Sequence, residues 1–173
     1  MARFFLFRKE DIMSAKFRSD NMSGTTLGKD IVAIKYRPSN TDTAIENGNI
    51  VVIGGLITGE TDVRKADTPT ATSAFNMLAV VGGVPVDKTK AYNAEDDFIN
   101  PAGVATRAYR LRSGDMYAVT ADALSAAEAI AVGNVVEVQA GTKAKVVATL
   151  TTNSTKIGTV YAIEGEWIVI EVA

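Results

Sequence analysis

The sequence contains no cysteine and no histidine, and only one tryptophan and four prolines among its 173 residues. Without cysteine there is neither a disulfide framework nor a cysteine-based zinc site, which fits a reducing compartment. The lack of histidine removes the usual general base near neutral pH and the commonest metal ligand. Together the two absences exclude Ser/His/Asp and Cys/His triads, zinc hydrolysis and non-haem iron chemistry. Only carboxylate, lysine or tyrosine chemistry remains, so the expectation is a protein that is not an enzyme and needs no cofactor. Long apolar runs are missing as well. Phe4-Phe5-Leu6-Phe7 is broken by Arg8-Lys9-Glu10-Asp11, whereas a signal peptide needs about 7 to 15 apolar residues and a membrane helix about 20. A soluble, unexported chain with no membrane partner is expected.

What is present is divided unevenly. Residues 1–40 carry eight Lys or Arg and four acids, a net of 8 − 4 = +4, while the remaining 133 carry ten bases and sixteen acids, a net of 10 − 16 = −6. The same forty residues hold four of the six phenylalanines, Phe4, Phe5, Phe7 and Phe17. This division predicts a basic, aromatic N-terminal arm over 1–40 attached to a self-folding body over 41–173. Disordered tails are poor in aromatics, so the arm reads as a docking segment. The alternative is that its phenylalanines return to its own body as a core strand. The overall charge of −2 argues against nucleic acid as a partner of the whole molecule.

The body reads as short β-branched runs separated by Gly, Asn and Asp turns, at the spacing of a small barrel or sandwich. Nine strands are predicted, over 31–36, 49–57, 77–81, 104–112, 116–120, 134–139, 144–151, 157–163 and 166–172. Asn47-Gly48, Ala140-Gly141 and Glu164-Gly165 supply turn chemistry. The last four runs suggest a meander. In the final one Trp167, Val169 and Glu171 alternate with Ile168, Ile170 and Val172, so both faces of that strand should be covered. One short helix is predicted over 120–130, where Ser125 and Glu128 have capping-box spacing before Gly133. The polar stretches 58–73 and 82–103 carry no assignment and should lie against something. The fold class expected is therefore all-β, a small barrel or sandwich with one short helix and an extended N-terminal arm.

Chemical motifs are few. Ser23-Gly24-Thr25-Thr26-Leu27-Gly28-Lys29-Asp30 imitates a phosphate-binding loop, but Ser23 stands in the place of the first Gly and Asp30 in that of the Mg²⁺-binding hydroxyl. Glu95-Asp96-Asp97 could offer oxygen ligands to a cation, yet it lacks the spacing of a calcium loop and reads as a solvated acidic turn, so no metal site is assigned. Asn21-Met22-Ser23 and Asn153-Ser154-Thr155 match the glycosylation pattern, which carries no weight without export. Arg107, Arg110 and Arg112 surround Tyr109 in a predicted strand, where Arg107 and Tyr109 share one face and Arg110 and Arg112 the other. A sheet edge or subunit contact that pairs these arginines with a neighbour's acids fits better than single-stranded nucleic acid. The partner-binding residues predicted are Arg3, Phe4, Phe5, Phe7, Arg8, Lys9, Phe17 and Arg18 in the arm, and Arg107, Tyr109, Arg110 and Arg112 in the body, since aromatic and arginine anchors dominate docking energy.

Gly48-Asn49-Ile50-Val51-Val52-Ile53-Gly54-Gly55 and Gly133-Asn134-Val135-Val136-Glu137-Val138 both join a Gly-Asn turn to an apolar strand. Asn100-Pro101-Ala102-Gly103-Val104-Ala105-Thr106-Arg107-Ala108-Tyr109-Arg110-Leu111, followed by Ser113-Gly114-Asp115, adds a third segment. Over about residues 45 to 173 these segments resemble the capsid decoration, or cement, proteins of tailed bacteriophages; the arm lies outside the likeness. The resemblance implies a structural virion protein on the capsid surface, assembled in the host cytoplasm. It further implies a homo-oligomer, favouring a trimer, that bridges major capsid protein subunits against internal pressure. A tail-tube or head-completion subunit is one alternative. A carbohydrate- or cell-surface-binding β module is another, with Trp167 as its sole tryptophan platform. An enzyme would need carboxylates such as Asp96 and Asp97 to converge in a pocket.

Overall fold

The computed structural model describes residues 14–26, 28–86, 98–126 and 129–173. Among these residues twelve strands form two β-layers: β1 Phe17–Asn21, β2 Ile31–Tyr36, β3 Ile50–Leu56, β4 Val63–Asp67, β5 Leu78–Val81, β6 Thr106–Arg110, β7 Met116–Thr120, β8 Leu124–Ala126, β9 Val135–Glu137, β10 Ala144–Val147, β11 Lys156–Glu164 and β12 Trp167–Val172. One layer is a closed five-stranded barrel in the order β2-β4-β3-β5-β6. Its β2 and β4 run parallel and its other neighbours antiparallel. The other layer is a seven-stranded sheet in the order β1-β7-β12-β11-β9-β10-β8, antiparallel except where β8 meets β10. The fold is all-β.

Side-chain alternation builds two cores from the same strands. On β3, Val51 and Ile53 point into the barrel with Ile34, Ala66, Ala79, Val81 and Ala108. Three alanines among these seven residues suit the narrow interior of a five-stranded barrel. Ile50 on β3, Leu78 and Val80 on β5, and Tyr109 on β6 point outward and meet Tyr117, Val119, Ile168 and Ile170 of the large sheet. All four residues of β5 are buried, which is why its sequence is apolar without alternation. Full burial of each Ile, Leu or Val contributes about 1.5–3 kcal/mol, so this shared layer holds barrel and sheet together.

Each of the nine predicted runs contains a strand, and the structure adds β1, β4 and β8. β4 lies in the unassigned 58–73 stretch, where only Val63 and Ala66 of its five residues are buried. Three features correct the sequence reading. The stretch predicted as a helix begins as a 3-10 turn at Ala121–Ala123 and continues as strand β8. Ala123 and Leu124 enter the large core and β8 pairs with β10, so tertiary pairing overrides helix propensity. Among the described residues the α-helix is a single turn, α1 Ser23–Thr26.

The last four strands are not a meander. β9 pairs with both β10 and β11, so the chain leaves β10 and returns to the far edge of β9. Glu137 fixes that return, its buried carboxylate accepting hydrogen bonds from Thr151 N and Oγ1, both at 2.7 Å. Finally, residue 40 marks no boundary between arm and body. From residue 14 onward the basic stretch is built into the body, β1 as an edge strand of the sheet and β2 as a stave of the barrel, because Phe17 and Ile34 find apolar partners there.

Candidate docking site: the anchored N-terminal strand

β1 lies at the sheet edge against β7 in the register Phe17↔Val119, Arg18↔Ala118 and Ser19↔Tyr117. Alternation turns Phe17 inward and Arg18 outward. The Phe17 ring sits 5.5 Å from that of Tyr109 and 6.0 Å from that of Tyr117, tilted against both, a geometry favoured by aromatic quadrupoles. Glycine at position 82 makes room for it, since a Cβ there would lie 2.7 Å from both the Phe17 and the Tyr109 ring.

Two cations fasten the strand to the β11–β12 hairpin. Lys16 Nζ donates to Glu166 at 3.1 and 3.3 Å, and its backbone N–H donates to Thr120 Oγ1 at 3.1 Å. The Arg18 guanidinium donates to Asp20 and, through Nη2, to Glu164 at 3.1 Å, and it lies 5.1 Å from the centre of the Trp167 ring. The hydrogen bonds to Asp20, with Glu164 adding to them, push the Arg18 pKa further up. Gly165, at φ +63°, makes the tight turn that brings Glu164 and Glu166 to the hairpin tip.

The predicted partner residues have different fates. Arg3, Phe4, Phe5, Phe7, Arg8 and Lys9 lie outside the described residues, as does Glu95-Asp96-Asp97. Phe17 packs on its own body, the alternative weighed for the arm's phenylalanines. Tyr109 is corrected from a partner contact to a core residue. It is 7% exposed, and its ring is bracketed by Phe17, Gly24 and Gly82. Arg112 pairs within the chain, donating from Nε and Nη2 to Asp30 Oδ1 at 3.1 and 2.6 Å; the hydrogen bond to Asp30 pushes its pKa up. Its backbone N–H donates to Asp115, which also accepts from Ser23 N and Oγ. These contacts occupy Ser23 and Asp30, the ends of the stretch that imitates a phosphate loop. Arg107 is exposed, with one 3.5 Å contact to the Tyr109 hydroxyl. Arg110 lies half-buried at the end of β6 opposite Ala79.

Sequence reasoning missed Lys16, Glu164 and Glu166, and it weighed Trp167 only as a sugar platform. The signal was available, since Lys16 and Arg18 repeat at the same spacing of two as Glu164 and Glu166. Trp167 is half-buried under Arg18, which leaves less of its face for a sugar ring. Exposed apolar side chains elsewhere include Val84, Val86, Ile99 and Val104, all more than 40% exposed. They flank a buried polar network of Asn47, Gly83, Asn100 and Thr106. No helix among the described residues is long and apolar enough to cross a membrane. The sequence matches no protein-family model, and comparison with curated proteins finds no significant relative.

Proposed function

We propose that this chain is a structural virion protein that binds the assembled head of a tailed bacteriophage. In this reading it stabilises the shell by bridging subunits of the major capsid protein, as a homo-oligomer, with a trimer favoured. The observation that carries the proposal is the anchoring of β1. A strap that bears load must be fixed to a body that does not yield, and residues 1–13 join the body through a strand held by a ladder to β7, an aromatic slot and two ion pairs. Tension along β1 loads these contacts together rather than one at a time. Arg3, Phe4, Phe5, Phe7, Arg8 and Lys9 then supply aromatic and cationic anchors suited to an acidic capsid surface. The exposed valines and Ile99 at 84–104 add a second apolar contact area.

Because residues 17–21 form β1 and residues 14–16 are buried beside it, the informative truncation removes only residues 1–13. The shortened chain should keep its thermal transition and lose retention on purified capsids in a sedimentation assay. A truncated protein that folds and sediments with capsids at undiminished affinity contradicts the strap.

A further inference from the structure

Asn47-Gly48 is the one Asn-Gly pair in the sequence. In an unconstrained chain the Gly amide nitrogen attacks the Asn side-chain carbonyl carbon, forming a new C–N bond and expelling ammonia. Water then opens the resulting succinimide to an aspartyl or isoaspartyl residue, with no other reactant consumed. The reaction needs a side-chain amide free to swing back and a Gly nitrogen free to reach it. The fold withholds both. Asn47 Nδ2 donates to Gly83 O at 3.0 Å, while its Oδ1 accepts from Gly83 N at 2.8 Å and from Asn100 Nδ2 at 2.9 Å. Gly48 N donates to Val81 O at 2.8 Å. Asn47 is 7% exposed, so water too is kept away.

We propose that Asn47 is a latent deamidation site, silenced by this lock and released when the 82–86 and 98–106 stretches open, so that modification makes a transient opening permanent. The product could not close again on the same terms. A carboxylate at position 47 has no donor for Gly83 O and would set an acceptor against an acceptor, with a charge in a buried place. Asn100 and Thr106 serve as positioning residues: Asn100 Nδ2 also holds Ile45 O at 2.9 Å, and Thr106 Oγ1 donates to Asn100 Oδ1.

The test incubates the full chain in mildly alkaline buffer with and without urea and follows position 47 by peptide mapping that separates aspartyl from isoaspartyl products. Conversion in native buffer should be slower than in urea by about a hundredfold or more, since it must wait for local opening. Asn100→Ala should speed the native-buffer reaction, and Thr106→Val does the same duty if Asn100→Ala fails to fold. Equal rates with and without urea overturn the proposal, as do folded variants that react no faster than the parent. Asn47→Asp should expose 82–86 and 98–106 to limited proteolysis; an unchanged cleavage pattern overturns the permanence of the opening.

Discussion

Tyr117 is 1% exposed and its hydroxyl has no protein partner among the described residues. Burial disfavours the phenolate and pushes its pKa up. A buried hydroxyl without a partner costs about 1–3 kcal/mol, so Tyr117→Phe, which keeps the ring against Phe17, should stabilise the protein by about 1 kcal/mol. Urea denaturation checks this, and a destabilised variant would show that the hydroxyl is satisfied after all. Glu137 presents the opposite case. Burial alone would raise its pKa, but the hydrogen bonds from Thr151 and the ammonium of Lys145 outweigh it and lower the pKa from 4.5. A carboxylate whose folded value is depressed adds stability that is complete above the unfolded value and drains away as pH falls through the folded one. The stability gap between the parent and Glu137→Gln should therefore be widest near neutral pH and narrow in acid below 4.5. A gap that stays constant across that window would contradict the assignment.

Among the elements, those with apolar, β-branched runs were legible, as β2 and β7 show: their limits coincide with the predicted 31–36 and 116–120. β1, β4 and β8 were not, for one physical reason. FRSDN, VRKAD and LSA carry little apolar periodicity, and each becomes a strand because a neighbour offers an edge. The crossing of β11 to the far side of β9 was likewise hidden, because it depends on Glu137 holding the 148–155 return. At this scale the slot behind β1 is testable. Gly82→Ala places a methyl against the rings of Phe17 and Tyr109, and overpacking of this kind costs about 1–3 kcal/mol. Amide exchange at residues 17–21 should quicken more than at β12. Equal acceleration of both would mean that β1 is not separately anchored.

For the molecule as a whole, composition conveyed the shortage of reactive groups, and the spacing of β-branched runs between turns conveyed the fold class, since both are local properties of the sequence. The meeting of Phe17, Gly24, Gly82 and Tyr109 depends on contacts distant in sequence, which no local pattern encodes; that is why Tyr109 was read as a surface anchor and turned out to be core. The charge contrast between the first forty residues and the rest survives with a different meaning. Its described part includes Lys16 and Arg18, which clip β1 to the acidic tip of the β11–β12 hairpin. The central claim is that this arrangement braces a capsid. The most direct measurement is the temperature at which phage heads release DNA when decorated with the full chain or with the chain lacking residues 1–13, each at saturating concentration. The account predicts that the full chain raises the release temperature and the truncated chain does not. Equal protection by both, or none by either, would contradict it.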